Sequence, residues 1–282
     1  MGSNFAEMMR KEAEMKIKAL KKTGEIPIKL VVLSGKGGVG KSVTTANLAL
    51  AFSRLGYAGK VAVLDGDIHG PSIPIYLGIE NSLLRAEGET IYPIEGPMGV
   101  KVMSISYFLS KQDLPIIWRG PLKMKFIRDM LASVDWGKAE ILLIDTPPGT
   151  GDEIQSITEY VTKLSGAVVV TSPSDASINV VKRAVNFLKV KKIPLLGIIE
   201  NFSYIKCPSG YEAKIMGEGG ERIEKLLGGK IIARIPYDPL LSTSIQDFGN
   251  PYEEENLKGN EAAKAYLKAA EQILSQVGGK AQ

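Results

Sequence analysis

The stretch VVLSGKGGVGKSVTT, residues 31–45, decides how this chain folds. An apolar run ends at Ser34, a glycine-rich turn follows, and from Ser42 onward the pattern is that of a helix. Positions 35–42 match G-x-x-x-x-G-K-[ST]. Glycines at Gly35, Gly37, Gly38 and Gly40 let successive backbone N–H groups, that of Val39 among them, turn inward onto phosphate oxygens. Lys41 is then placed to reach the β- and γ-phosphates, and the Ser42 hydroxyl to ligate Mg²⁺. The start of the helix adds its positive end. The turn also carries a second lysine, Lys36, where one lysine suffices for this task.

Outward from this loop the chain alternates between short apolar runs and amphipathic stretches. The runs at 29–34, 60–65, 100–105, 140–145, 167–172, 195–200 and 230–236 read as strands covered on both faces. Helices are expected at 42–55, 121–133, 152–164, 177–189 and 260–277, and 78–98 reads as a poorly periodic insert. Strand and helix in alternation imply an α/β fold, a doubly wound, mainly parallel sheet with helices on both faces. The expected organisation is an amphipathic N-terminal helical arm over 1–25 and a single P-loop ATPase domain over 26–282. In such a sheet, function gathers at the carboxyl ends of the strands. Each run is indeed followed there by its specialised residues: SGKGGVGKS, DGDIHGPS, DTPPGTGDE, SPSD, ENFSY and PYDP.

Composition narrows the function classes. The 282 residues carry 35 basic and 31 acidic side chains, a formal surplus of +4, with no long block of one sign. That calls for no polyanionic partner, so neither nucleic acid nor a membrane surface is expected. No run approaches the ~18 apolar residues of a membrane span, and no secretory leader is visible. Cys207 is the one cysteine, which excludes an intrachain disulfide and fits a reducing, cytoplasmic setting.

Carboxylates should complete the nucleotide site. ILLID at 141–145 delivers Asp145 towards the Mg²⁺ shell through water, and VAVLDGD delivers Asp65, likewise through water, and Asp67 from the other side. Asp67 is the better placed of the pair to position the attacking water.

The loop KGGVGKS is similar to the deviant Walker A loop of the MinD/ParA/nitrogenase-iron-protein group of ATPases. In that group the early lysine, Lys36 here, crosses a dimer interface to the partner's nucleotide. Further stretches resemble one branch, the Mrp/ApbC iron–sulfur cluster carrier ATPases: DGDIHGPSIP (65–74), GVKVMSI (99–105), WRGP (118–121), VDWG (134–137), IDTPPGTGDE (144–153), GAVVVTSP (166–173), PLLGIIENFSY (194–204) and ARIPYDP (233–239). The resemblance implies a homodimer that binds ATP and Mg²⁺, with Lys36, Lys41 and Asp67 catalytic. It places Asp67 in a first switch and 149–152 in a second. Asn201 would recognise the adenine edge, with Pro236 in the loop forming the other wall. It further implies a cluster bridged between protomers and delivered to apo iron–sulfur client proteins.

Three positions depart from the pattern. Family members that carry a cluster show C-P-x-C after the ENxSY strand, whereas here Cys207 and Pro208 are followed by Gly210 in place of the second cysteine. A [4Fe–4S] cluster takes four thiolates, and two copies of this chain supply two. Val43 stands where the family usually has Thr, and His69 where an aromatic residue is usual. Two alternatives therefore stay open: a positioning or partition ATPase like MinD or ParA, and a cluster-free adaptor switched by ATP.

Overall fold

Strands that are apolar on both faces need a covering layer on each side, and the chain supplies two. The computed structural model describes residues 2–67, 70–108, 120–149, 152–207, 209–214, 216–217, 219–227 and 229–279. Its sheet contains β1 (Ile28–Ser34), β2 (Val61–Asp65), β3 (Ile94–Glu95), β4 (Lys101–Ser104), β5 (Ile141–Asp145), β6 (Gly166–Thr171), β7 (Leu195–Glu200) and β8 (Ile231–Arg234). Their order is β8-β7-β6-β1-β5-β2-β4-β3. Every pair is parallel except β3, which runs antiparallel along β4.

All seven expected runs are strands of this sheet, and their side chains alternate between two cores. Leu30, Val32, Val63, Leu143 and Val168 pack under α2 (Lys41–Phe52) and α7 (Glu261–Val277). Val31, Leu33, Leu64, Ile144 and Val169 face the other way. There they meet α1 (Gly2–Gly24), α3 (Gly120–Ser133), α4 (Asp152–Tyr160), α5 (Ile178–Val190) and α6 (Gly219–Leu227). The period-two alternation of a strand is thus spent on two apolar layers rather than on one apolar and one wet face.

Local chemistry sets the helix ends. Asn260 caps α7, its side-chain oxygen accepting from the Ala263 N–H at 2.7 Å. Helix α2 stops at Phe52, short of the expected 55, because the chain widens into a π turn over Ser53–Tyr57 with Gly56 at φ 98°. Helix α1, the segment expected as an arm, lies along α3 and α4. Ala19 and Thr23 are fully buried, and Glu12 pairs with the nearly buried Arg128 at 2.9 Å.

Three small β elements among the described residues escape the sequence pattern. Strand β3 and the hairpin Arg85–Glu87/Thr90–Tyr92 lie in the insert, and the hairpin Ile205–Lys206/Glu212–Ala213 surrounds Cys207. Their strands are two or three residues long with no residue buried, so no buried apolar run marks them.

Register does the most for the site. Strand β5 sits between β1 and β2, pairing Val32 with Asp145 on one side and Asp65 with Asp145 on the other. Two carboxylates and the start of the glycine loop therefore emerge side by side at one end of the sheet.

Phe52 is fully buried beneath β1 and α7. Phe52→Ala is expected to lower stability by about 3–5 kcal/mol, read from the urea-unfolding midpoint.

Candidate functional site

The glycine loop is shaped by close approach as much as by conformational freedom. Gly40, at φ 78°, has no room for a side chain: a Cβ there would lie 2.0 Å from Asn201 Nδ2. A Cβ on Gly35 would run into Val180 at 2.0 Å. At Gly37 and Gly38, by contrast, a Cβ would meet nothing within 4 Å, because these glycines border open space. That space is a cavity of about 210 Å³ lined by Ser34, Lys36, Lys41, Ser42, Asp67 and Tyr76 beside the glycines.

Its charges converge on Asp145. Lys41 Nζ lies 2.5 Å from Asp145 Oδ2 and 3.6 Å from Asp67 Oδ2. Ser42 Oγ donates to Asp145 Oδ2 at 2.7 Å and Thr45 Oγ1 to Oδ1 at 2.6 Å. A fully buried carboxylate is tolerated only when paired and hydrogen-bonded, and here a cation and two hydroxyls do this. Thr45 lies outside the G-x-x-x-x-G-K-S motif. Its signal is its spacing, one helical turn after Lys41, which puts both on the face towards β5.

Two buried polar atoms on the cavity wall lack partners: Asp67 Oδ1 and Ser34 Oγ. Lys36 also lines the cavity, half-buried, and among the described residues it has no ion-pair partner. Unpaired donors and acceptors around a glycine cradle suit a ligand with several anionic oxygens and a hydrated cation.

Asp65 lies apart from Asp67. It is fully buried behind the cavity, with Oδ1 accepting from the Asp67 N–H at 3.3 Å. Its Oδ2 accepts from Ser104 Oγ at 3.0 Å and the Ile73 N–H at 3.4 Å. Asp65, expected to face Mg²⁺ through water, accepts three protein hydrogen bonds that tie down the loop after β2. Burial, and then the facing Asp145 carboxylate, push its pKa up to about 8, against the pull of Lys41.

Asn201, at the end of β7, is also buried, and its Nδ2 donates to Val39 O of the glycine loop at 3.2 Å. Pro236 is buried on the facing loop. The Ser203 N–H donates to Ile235 O and the Tyr237 N–H to Tyr204 O, each at 2.8 Å, tying the two walls together. Between them Phe202 takes a left-handed φ of 55°, a conformation that costs a non-glycine residue about 1 kcal/mol.

Cys207 is half-buried at the turn of its hairpin. Its N–H donates to Tyr211 O, and its carbonyl accepts from the Gly210 N–H, both at 2.8 Å. Gly210 has φ 85°, so a cysteine at this position would be strained in this turn. Among the described residues no three His, Cys, Asp or Glu side chains converge as a metal site. Val43 is buried on the cavity wall. Ile68, His69, Trp118, Arg119, Thr150, Gly151 and Pro208 lie outside the described residues, as does the side chain of Asp152.

A glycine loop between a parallel strand and a helix, a lysine on a strand-end aspartate, and a doubly wound sheet define a P-loop NTPase of MinD/ParA-like fold. The family described as ParA: NUBPL iron-transfer P-loop NTPase matches residues 25–274, and the chain belongs to it. An iron–sulfur cluster carrier protein of Methanocaldococcus jannaschii is 43% identical, the match covering 95% of this chain and 91% of that one. A cytosolic Fe–S cluster assembly factor NUBP2 homolog of Dictyostelium discoideum is 42% identical over 77% of this chain and 84% of its own. Among solved structures, a nucleotide-binding protein of Archaeoglobus fulgidus in complex with ADP superposes with a TM-score of 0.71. It is 33% identical, covering 85% of this chain and 96% of that one. The cell-division ATPase MinD of Pyrococcus furiosus, 23% identical with a TM-score of 0.60, shares the fold. No helix among the described residues is long and apolar enough to cross a membrane.

The raised pKa of Asp65 carries a pH dependence with a defined sign. Between about pH 4 and pH 8 the folded chain retains a proton that the unfolded chain releases, so stability falls as pH rises through this window. Urea unfolding in chelator-treated, nucleotide-free buffer is expected to show a lower midpoint at about pH 8 than at about pH 5. Asp65→Asn should flatten that slope.

Proposed function

We propose that the chain is a Mg²⁺·ATP-dependent iron–sulfur cluster carrier that works as a cytoplasmic homodimer, hydrolyses ATP slowly and hands clusters to apoproteins. The reading rests on one juxtaposition: the single cysteine sits on a hairpin that continues directly from Asn201, the residue bonded to the phosphate-binding loop. The relatives named as cluster carriers support it.

Lys41 lies against Asp145. When ATP enters, its phosphates take Lys41 and the N–H groups of 37–42, and Asp145 loses its cation. Ser42 and, through water, Asp145 then suit Mg²⁺, which when bound supplies positive charge to the β- and γ-phosphates. Asp67, with its unpartnered Oδ1, orients a water for in-line attack on the γ-phosphorus. The bond to the β,γ-bridging oxygen breaks, and ADP leaves carrying the negative charge that lysines neutralise. Lys36, without an ion-pair partner among the described residues, reaches across the dimer to the other protomer's nucleotide, so hydrolysis waits on dimerisation. Asn201 and the Pro236 loop hold the adenine. The cluster is cargo: each protomer offers one thiolate at Cys207, and the remaining ligands come from a thiol cofactor or the client.

A second reading, an ATP-switched adaptor that carries no cluster, is favoured by one observation, the left-handed Gly210 where the second cysteine would stand.

Lys36→Ala is expected to reduce steady-state ATP hydrolysis by about a hundredfold while leaving ADP binding to the monomer intact; loss of binding instead would remove the trans role. Anaerobic reconstitution with iron and sulfide should load the wild-type protein, and Cys207→Ser should abolish loading. Uptake that ignores the substitution would sink the carrier reading and leave the adaptor.

A further inference from the structure

The nucleotide cavity and Cys207 are joined by residues 201–207, a stretch without a glycine in which contacts follow one another closely. At its start Asn201 donates to Val39 O, and the Phe202 ring lies against Gly40, where an added Cβ would come within 3.0 Å of Phe202 Cζ. The ring also packs on Tyr237, with centroids 5.9 Å apart. Ser203 and Tyr204 are bonded to the 235–237 loop on either side of that contact. Ile205 and Lys206 then pair with Ala213 and Glu212, and both backbone groups of Cys207 are bonded within the turn.

Phe202 sits at the middle of this arrangement. A left-handed phenylalanine persists where the surroundings hold it, and here the holders are Gly40 on one side and Tyr237 on the other. Beside it, Glu200 Oε1 accepts from Ser203 Oγ at 2.5 Å, while Oε2 is buried without a partner. A left-handed residue and a buried acceptor without a hydrogen-bond partner among the described residues thus lie side by side where the glycine loop meets the hairpin.

We propose that Phe202 is a positioning residue through which occupancy of the phosphate-binding loop sets the accessibility of Cys207. The inference rests on the reading of the cavity as an adenine-nucleotide site. Phosphate oxygens fix the loop's N–H groups, and with them the adjoining Val39 carbonyl and Gly40. That pins Asn201 and the Phe202 ring, and the hairpin is held in its hydrogen-bonded form. With the loop empty, Phe202 relaxes more often, and the turn carrying Cys207 opens with it.

Because the chain has one cysteine, alkylation by iodoacetamide reports on Cys207 alone. Saturating Mg·ADP, which leaves the γ-phosphate position empty, is expected to slow alkylation of the wild-type protein about fivefold or more. Phe202→Gly accepts the same φ without strain and removes the ring. It should still bind ADP, followed with a fluorescent analogue, yet show no slowing. Wild-type alkylation unchanged by bound ADP, or full slowing in Phe202→Gly, would overturn the coupling. Failure of the wild type to bind ADP would remove the nucleotide reading, and the coupling with it. Hydrogen exchange of the Cys207 amide in the wild type gives the second measurement, should the glycine variant not fold. Exchange that slows with ADP supports the coupling, and exchange indifferent to ADP refutes it.

Discussion

A buried negative charge at the end of a central strand organises this molecule. Asp145 emerges between the glycine loop and the loop after β2, fully removed from water. Left unpaired there, a carboxylate would cost several kcal/mol. The chain answers with Lys41, Ser42 and Thr45, three residues of the first helical turns after the loop. Those bonds lock α2 to β5, fix the helix start at the mouth of the cavity, and hold a cation ready beside the phosphate cradle. Helix, sheet edge and site are therefore one construction.

The same placement sets the character of Asp65. It faces Asp145 across one strand pairing, and two like charges so close cannot both be favoured in a dry interior. Asp65 is accordingly surrounded by donors from Ser104 and the backbone, which turn it into an anchor for the loop carrying Asp67. Asp67, one step further along, keeps an unpartnered oxygen on the cavity wall. Two aspartates with one residue between them thus differ because one points into the fold and the other into the cavity.

The cysteine hairpin is governed by backbone geometry. Its turn places a left-handed glycine, Gly210, at the position where the family resemblance would put a second cysteine. What the hairpin lacks in ligands it has in connection: it continues, without a glycine, from residues bonded to the phosphate-binding loop.

The amino-acid sequence by itself determined the seven long strands, the alternation of helices between them, the glycine loop and the identity of its lysines. These are local: an apolar run, a helical period and a G-x-x-x-x-G-K-S spacing act over a few residues. Tertiary structure alone decided that Asp65 ties down the loop after β2, that Thr45 serves Asp145, and that Asn201 is bonded to Val39. It alone decided that the short β3 and the cysteine hairpin form. The reason is physical. A side chain's role depends on which distant donors and charges the strand register brings against it, and short exposed strands are held by neighbours rather than by any pattern of their own.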